Sequence, residues 1–385
     1  MKVMLSTWTV YPFHGFGGVE RYYYNLARNL QVKGIDATVI TSGRRRSEKR
    51  DGINFEVLEP DVHSLPLRQF WMAAFGKNVS KFLRKKEFDL LHGTEGTYPY
   101  SAIRPEERKP VLMHCIGLAP FQDSNLWIRR YNFTVAYRRN YNAYHAADAV
   151  AAEGEPQKRE LERIFKIPHK SIRTLHAGIY TKEIADAIKE SNLTRQKIGV
   201  DDADIVLINV NRLAANKGVP YLIDALAKLN KKMNAELNVK LILVGSGPDE
   251  EKIKRQINNL QLGDKVKHFK TIPDRQMYQL LGLADISVTP TLFEGLPTVV
   301  LEAMAAGKPI VATDISQMRQ VVHNGKNGFI VQRADSDAIV HAVMKIHEKK
   351  LKMKMGVESK RLIKYYDWRT VAKDVVKVYE DLIRK

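Results

Sequence analysis

The sequence predicts an α/β protein in which two doubly wound domains, each built on a parallel sheet, follow one another along the chain. Short β-branched or apolar runs alternate with longer amphipathic stretches from one end to the other, which is the pattern of βαβ units. The length of 385 residues is too great for one ordinary domain and suits two of about 190 residues each. Hydrophobic residues make up 44% and charged residues 27%, a balance that excludes a disordered or fibrous chain.

The first half carries apolar runs short enough for strands, separated by longer stretches with one apolar face. The predicted strands lie near residues 3–6, 37–41, 55–58, 90–92, 111–114, 149–152 and 172–175. The predicted helices lie near residues 19–33, 67–86, 125–145 and 156–165.

The second half repeats the alternation of short apolar runs and longer amphipathic stretches. Its predicted strands lie near residues 205–209, 240–244, 266–269, 286–289, 309–312 and 328–331. Its predicted helices begin near Pro220, Asp249, Asp274, Pro297, Ser316 and Asp335. Because a polar turn at residues 201–204 precedes the new apolar strand, we predict domains at 1–180 and 200–366. Residues 367–385 carry apolar side chains at helical spacing and predict an amphipathic helix that packs on the protein.

Charge and cysteine content narrow the classes of partner and site. Lysine and arginine number 62 against 43 acidic residues, and the formal charge of +19 favours a polyanion: nucleic acid, nucleotide or an anionic membrane. Cys115 is the only cysteine, which excludes an intramolecular disulfide and a cysteine-based zinc site. No apolar run approaches the ~18 residues of a spanning helix, and the N-terminus does not read as a signal peptide, so we expect a cytoplasmic chain.

Three turns that follow predicted strands could bind an anion or a nucleoside. Residues 15–20 open the first helix, where backbone N–H groups and the helix dipole favour an anion at Gly18. Their spacing is not that of a dinucleotide fingerprint, so a nicotinamide enzyme is disfavoured. In the equivalent turn of the second half, Arg212 offers a planar fork and Lys217 a mobile charge, which together suit a diphosphate. The turn at Gly245 would allow a nucleoside to approach closely. The alternative is that each is a solvated turn without a ligand.

Two carboxylates flank a predicted helix start at residues 293–307. Pro297 is favoured at the first helical position, which places Glu294 and Gly295 in the entering loop and Glu302 inside the helix. A ligand across this helix start could contact Glu294, the N–H groups of Gly295 and Leu296, and Glu302. The alternative is that Glu302 merely borders the apolar face.

Three further features have weaker signals. His114 ends a predicted strand and could position a proton near neutral pH, although a strand-end histidine is more often structural. Residues 70–86 form a basic amphipathic helix that, with the arginine clusters at 44–46 and 129–130 and with Trp127, could bind an anionic membrane reversibly. Asp202 and Asp204 lie at the start of a strand, the wrong end for a ligand site, so we assign no metal.

In combination, these segments resemble retaining glycosyltransferases of family 4. Glu294 and Glu302 reproduce the E-x7-E element, Arg212 with Lys217 and Gly218 the R-x4-K-G element, and residues 17–20 the G-G-x-E element. The resemblance spans nearly the whole chain in the expected order. It implies the GT-B architecture: two Rossmann-like domains facing a central cleft, with the acceptor bound by the first, the nucleotide-sugar bound mainly by the second, and the last helix returning to the first domain.

The resemblance also implies roles for individual residues. Arg212 and Lys217 would neutralise the leaving diphosphate, Glu294 would bind hydroxyls of the donor sugar, and His114 would lie beside the reacting sugar. Backbone groups at Gly18, Gly245, Gly295 and Leu296, with Glu302 on the ribose, would complete the donor site, while Glu20, Trp8 and Tyr11 would contact the acceptor. No metal or cofactor is implied.

The sequence leaves the substrates open. We expect the donor to be a UDP- or GDP-sugar, and residues 269–271 depart from the F-x-G that the family usually has near the base pocket. The aromatic and basic character of the first half favours a lipid-linked glycan or glycolipid acceptor, peripheral attachment to the cytoplasmic face of a membrane, and no nucleic-acid partner. The alternatives are a sugar-nucleotide epimerase of the same fold and a non-enzymatic basic protein that binds polyanions or membranes.

Overall fold

The computed structural model describes residues 1–14, 18–62, 64, 68–116, 136–232 and 238–384. The chain divides into two compact units. The first comprises Met1–Gly178 together with the chain from Trp368 onward, and the second comprises Ile179–Asp367. Both units are α/β, as predicted. No helix within the described ranges has the length and apolar character that crossing a bilayer requires.

The first unit is built on an eight-stranded sheet. Its strands are β1 (Lys2–Ser6), β2 (Asp36–Ser42), β3 (Arg46–Arg50), β4 (Ile53–Leu58), β5 (Leu90–Gly93), β6 (Val111–Cys115), β7 (Ala149–Ala152) and β8 (Ile172–Thr174). Its helices before the second unit are α1 (Gly18–Val32), α2 (Arg68–Leu83), α3 (Tyr98–Ser101), α4 (Tyr137–Ala146) and α5 (Glu155–Phe165). The strand order is β3-β4-β2-β1-β5-β6-β7-β8, so the sheet grows in both directions from a switch point between β1 and β5.

Strand β3 is a departure from the predicted parallel sheet. It pairs antiparallel with β4, whereas the other pairs in this sheet are parallel. Its sequence, RSEKR, has no apolar residue, which is why periodicity did not indicate a strand. Charged side chains are typical of an edge strand, since they discourage pairing with another chain.

Helix α2 packs inward rather than outward. Phe75, Val79 and Leu83 are buried in the core of the first unit, and Trp71 and Phe82 pack against the same core. Phe75, Val79 and Leu83 of the stripe expected to contact a membrane therefore face the protein, so these three side chains do not act as membrane anchors. Trp127 and the arginines at 129–130 lie outside the described residues, as does the start of the helix expected at 125–145.

The second unit is built on an all-parallel sheet of six strands. They are β9 (Ile205–Val210), β10 (Val239–Val244), β11 (Val266–Phe269), β12 (Ile286–Thr289), β13 (Ile310–Thr313) and β14 (Gly328–Val331). The helices are α6 (Thr181–Lys189), α7 (Val219–Lys232), α8 (Glu250–Asn259), α9 (Asp274–Leu283), α10 (Thr298–Ala305), α11 (Ser336–Glu348) and α12 (Lys352–Leu362). The helix expected from Ser316 is only a 3₁₀ turn, Met318–Gln320, and α12 was not predicted.

The last helix, α13 (Trp368–Ile383), belongs to the first unit and packs against α1. Its apolar stripe, including Trp368, Val375 and Tyr379, is buried. The Trp368 ring lies so close to Gly178 that a Cβ there would approach ring carbon Cδ2 to 2.4 Å. Only a glycine leaves room for this indole.

Candidate active site

The diphosphate-binding residues predicted in the second unit lie at its switch point. The strand order is β11-β10-β9-β12-β13-β14, so the chain moves outward in one direction from β9 and in the other from β12. In open α/β sheets, ligands bind beyond the carboxyl ends of the strands at such a point. The loop after β9 carries Arg212 and Lys217, and the loop after β12 carries Glu294 and Gly295.

These two loops are joined by hydrogen bonds. The Asn216 carbonyl accepts from the backbone N–H of Leu292 at 2.7 Å and from the Thr291 hydroxyl at 3.0 Å. The Asn216 amide donates to the Phe293 carbonyl at 3.3 Å. These bonds fix the basic loop after β9 beside the start of α10.

Glycines allow the loops to lie this close. Gly218 has φ +64°, and a Cβ there would lie 2.0 Å from the Pro290 carbonyl oxygen. Gly245, with φ +132°, is similarly close to the Asn211 carbonyl, at 1.9 Å from an added Cβ. Larger residues are excluded at both positions by steric overlap and by the left-handed backbone. The Gly245 carbonyl also accepts from His268 Nε2 at 2.8 Å, which ties the loop after β10 to β11.

The two predicted cations differ in their surroundings. Lys217 Nζ forms an ion pair with the Glu294 carboxylate, and both side chains are largely buried. Glu294 also lies 3.4 Å from the Thr291 hydroxyl. Arg212 is exposed and makes no hydrogen bond or ion pair with the described residues. The site therefore holds one cation fixed by a carboxylate and one available to an anion.

Helix α10 begins at Thr298, with Pro297 as its N-cap rather than its first residue. The helix therefore starts one residue later than predicted, and Glu294 and Gly295 still lie in the entering loop with Glu302 inside the helix. Gly295 and Leu296 precede the helix, whose first N–H groups lack partners within the helix and form its positive end. Glu302 is buried in the second turn of α10.

The residues assigned to the acceptor brace the turn after β1. The Glu20 carboxylate accepts from the Thr9 hydroxyl at 2.9 Å, and its carbonyl accepts from the Tyr11 N–H at 3.0 Å. Trp8 packs against the core, and the Tyr11 ring packs edge-on to Tyr24. Gly18 is exposed at the start of α1, with open space where a Cβ would lie, while residues 15–17 are outside the described ranges.

His114 lies in a buried row of hydrogen-bonding groups in the first unit. The Tyr379 hydroxyl of α13 is 2.6 Å from His92 Nδ1, and His92 Nε2 is 3.1 Å from His114 Nδ1. Within the described chain, His114 Nε2 is buried without a hydrogen-bond partner. Burial lowers the pKa of His114 to about 3, and burial together with His114 holds the pKa of His92 well below its ordinary value. Both rings are therefore neutral at pH 7.

The row also determines which nitrogen of His114 carries the proton. Among the described residues, His92 is the only acceptor within reach of the buried Tyr379 hydroxyl. If Tyr379 donates to His92 Nδ1, His92 must donate from Nε2 to His114 Nδ1, and the His114 proton resides on Nε2. His114 then presents a hydrogen-bond donor at the carboxyl end of β6.

The turn with two aspartates predicted at residues 202–204 precedes β9, and Asp204 stabilises it. Its carboxylate accepts from the backbone N–H of Asp201 at 2.9 Å and closes the turn before β9. Across the described ranges, no group of three or more metal-ligating side chains is arranged to hold an ion.

Sequence reasoning missed several residues that build these sites: Asn216, Thr291, His268, His92 and Tyr379. The position of Asn216 between Arg212 and Lys217 in a strand-end loop was the available signal for its role. Tyr379 lies 287 residues from His92, and no sequence pattern indicates that pairing.

Two family models match the chain. Residues 16–183 match the model described as Glycosyltransferase Family 4, and residues 190–365 match Glycosyl transferases group 1. Together they cover nearly all of both predicted domains.

Known proteins with similar sequences and folds are also glycosyltransferases. An uncharacterised glycosyltransferase of Methanocaldococcus jannaschii is 25% identical over 99% of this chain and 98% of its own. A GDP-mannose-dependent α-(1-6)-phosphatidylinositol monomannoside mannosyltransferase of Mycolicibacterium smegmatis is 29% identical over 53% of this chain and 54% of its own. Anabaena HepE, solved in complex with UDP, superposes with a TM-score of 0.77 at 20% identity, covering 99% of this chain and 100% of its own. The chain belongs to the group 1, family 4 glycosyltransferases and has their GT-B fold.

Proposed function

We propose that this glycosyltransferase moves a sugar from a UDP- or GDP-sugar to an acceptor hydroxyl with retention of the anomeric configuration. The observation that carries the proposal is the meeting of the Arg212–Lys217 loop with the start of α10. A free guanidinium, an ammonium and the positive end of a helix lie around one switch point. This is a site for a diphosphate.

The positive charges of this site are complementary to the negative charge that develops on the leaving diphosphate. The bond between the anomeric carbon and the phosphate oxygen breaks, and the diphosphate leaves with the electron pair. The acceptor oxygen forms the new bond on the same face, and its proton passes to the departing phosphate oxygen. Arg212 and Lys217 lower the barrier because they are fixed beside the oxygens that become more negative.

The remaining donor contacts are assigned from the positions of residues in the strand-end loops and in α10. Gly295 and Leu296 direct N–H groups toward the phosphates or the sugar, and Glu294 accepts from sugar hydroxyls while held by Lys217. Glu302 binds the ribose, and Gly245 allows the nucleoside to approach the loop after β10. No metal takes part in this scheme, since the two cations supply the positive charge.

For the acceptor we propose a lipid-linked glycan or glycolipid, bound by the first unit near Trp8, Tyr11 and Glu20. The support is the aromatic character of this part of the chain and the Mycolicibacterium relative, whose name gives a phosphatidylinositol mannoside as acceptor. The basic net charge of +19 suits an enzyme that works on anionic lipids at the cytoplasmic face of a membrane.

The test is a thermal-shift screen of nucleotide-sugars, followed by NMR of the reaction with the donor that binds. We expect stabilisation by one UDP- or GDP-sugar, transfer only when an acceptor is added, and the same anomeric configuration in donor and product. Conversion of the donor sugar without an acceptor would indicate the epimerase alternative. An inverted product would contradict retention.

A further inference from the structure

We propose that the exposed face of α12, with the cavity beside it, binds the surface of a membrane that contains anionic phospholipids. This face and cavity form the α12 surface, which lies entirely in the second unit. It is separate from the diphosphate site and serves to attach the enzyme rather than to bind its acceptor.

The first observation is an apolar stripe that faces outward. Met353 is 74% exposed and Val357 is 67% exposed. They lie four residues apart on α12, so they share one face of the helix. Only four large apolar side chains in the described chain are more than half exposed, and three of them, Met353, Val357 and Tyr365, lie within thirteen consecutive residues. Such a concentration marks an interaction surface rather than scattered exposure.

The second observation is the charge that surrounds this stripe. The exposed cations on and next to α12 are Lys349, Lys350, Lys352, Lys354, Lys360, Arg361 and Lys364. The acidic residues in the same stretch are Glu348 and Glu358, and Glu358 is paired with Arg361. Basic residues that flank outward apolar side chains are the composition of a helix that lies at the surface of an anionic bilayer.

The third observation is a cavity of about 630 Å³ whose wall includes Met353 and Val357. Its lining includes two acidic residues, Asp202 and Asp285, and four cations: Arg195, Lys308, Lys352 and Lys360. Asp285 pairs with Arg195 at 2.9 Å and with Lys352 at 2.7 Å. Lys360 makes no hydrogen bond or ion pair with the described residues.

Lys308 forms part of the wall of this cavity. It donates to the carbonyls of Gly282 at 2.9 Å and Ala284 at 2.7 Å, which uses two of its three N–H groups. Burial lowers its pKa to about 8, so an anion bound beside it would favour its charged form. Lys308 and Lys360 together suit the phosphate of a lipid headgroup, with Met353 and Val357 at the level of the acyl chains.

The location is compatible with catalysis. The cavity is lined by residues that immediately precede β12 and β13, at the amino-terminal edge of the sheet. The diphosphate site is at the carboxyl-terminal edge, after β9 and β12. A bilayer at the α12 surface therefore does not cover the donor loops of this unit.

The test is co-sedimentation of the full chain with vesicles of phosphatidylcholine alone or mixed with phosphatidylglycerol. We expect binding to the mixed vesicles only. Lys354→Gln/Lys360→Gln should weaken it about thirtyfold, since each cation near an anionic leaflet contributes a factor of about five. Met353→Ser/Val357→Ser should weaken it about tenfold or more. The matched control is Lys77→Gln/Lys81→Gln, which removes the same charge from exposed positions on α2 and should leave binding within about twofold.

A site-specific label gives a second measurement. Because Cys115 is buried, Val357→Cys introduces the one accessible thiol in the described chain for a fluorophore, and Lys81→Cys provides the control. Quenching of the label at 357, but not at 81, by lipids brominated on their acyl chains is the expected result. Three results would each overturn the proposal. The α2 control could lose as much binding as the α12 variants, the label at 357 could remain unquenched, or inorganic phosphate could stabilise a protein that does not bind vesicles. None of these readouts requires transferase activity, so the proposed reaction and the proposed role of the α12 surface can be refuted independently.

Discussion

Substitutions in the proposed diphosphate site should reveal that its two cations, Arg212 and Lys217, are not equivalent. Arg212→Ala removes a cation with no partner among the described residues, and the loss of charge stabilisation of about 3 kcal/mol should lower kcat a hundredfold or more. Lys217→Ala removes a cation and also leaves the Glu294 carboxylate beside the diphosphate without its partner. Two like charges about 4 Å apart repel by about 4 kcal/mol at an effective dielectric of 20, so kcat should fall about a thousandfold or more.

The distinguishing variant is Lys217→Ala/Glu294→Gln, which removes the uncompensated negative charge but keeps an acceptor for sugar hydroxyls. We expect it to recover about tenfold in kcat over Lys217→Ala, a coupling that a double-mutant cycle measures directly. The assay is steady-state turnover at saturating donor and acceptor, with melting temperatures to confirm folding. Equal effects of the two single alanine variants, or a double variant as slow as Lys217→Ala, would refute the role assigned to the ion pair. Unchanged kcat in Arg212→Ala would refute the diphosphate site itself.

Three further predictions concern the other groups. Glu302→Ala should raise the donor KM more than it lowers kcat, because ribose contacts are similar in the ground and transition states; steady-state kinetics in donor concentration would show the opposite if Glu302 acts on the reacting centre. Tyr379→Phe should lower kcat about tenfold, because one buried hydrogen bond is lost, with little change in KM. Nitrogen-15 NMR should show the His114 proton on Nε2 in the natural protein and redistributed between the two ring nitrogens in the variant. A proton on Nδ1 in both proteins would contradict the assigned row of hydrogen bonds. His114 is neutral when folded and takes up a proton below pH 6.5 when unfolded, so its contribution to stability is present above pH 6.5 and is lost as the pH falls toward 3. That loss is on the order of 5 kcal/mol, and His114→Gln should flatten the fall in unfolding free energy measured by urea titration across this range.

The alternation of strands and helices was predictable because each element has its own local pattern of apolar residues. Residues 205–208 are a continuous apolar run, as buried parallel strands require, and the loop after this strand carries Arg212 and Lys217. The order of strands in the sheet is not a local property, and the sequence analysis did not predict that β9 lies beside β12. The hydrogen bonds of Asn216 to the loop after β12 depend on that order and could not be read from the sequence.

The buried row in the first unit illustrates a different limit. His114 was singled out by its place at a strand end, but the residues that set its tautomer are His92 on the neighbouring strand and Tyr379 on the last helix. Tyr379 appeared only as one of several apolar-stripe positions in a predicted amphipathic helix. Periodicity indicates that such a side chain is buried, and it does not show which polar group its hydroxyl meets.

Helices α2 and α12 show how far the spacing of apolar residues predicts which face of a helix is buried. In α2, apolar residues recur at the spacing of a helix face, and that regularity is itself the signature of packing against a core, where Phe75 and Val79 are found. In α12, Met353 and Val357 point to solvent, while the buried positions are Met355, Gly356 and Ser359. Gly356 is required there because an added Cβ would lie 2.3 Å from the Gly307 carbonyl oxygen. Because apolar residues lie on both the buried and the exposed side of α12, their spacing does not indicate which face packs on the core, and the helix was not predicted for that reason.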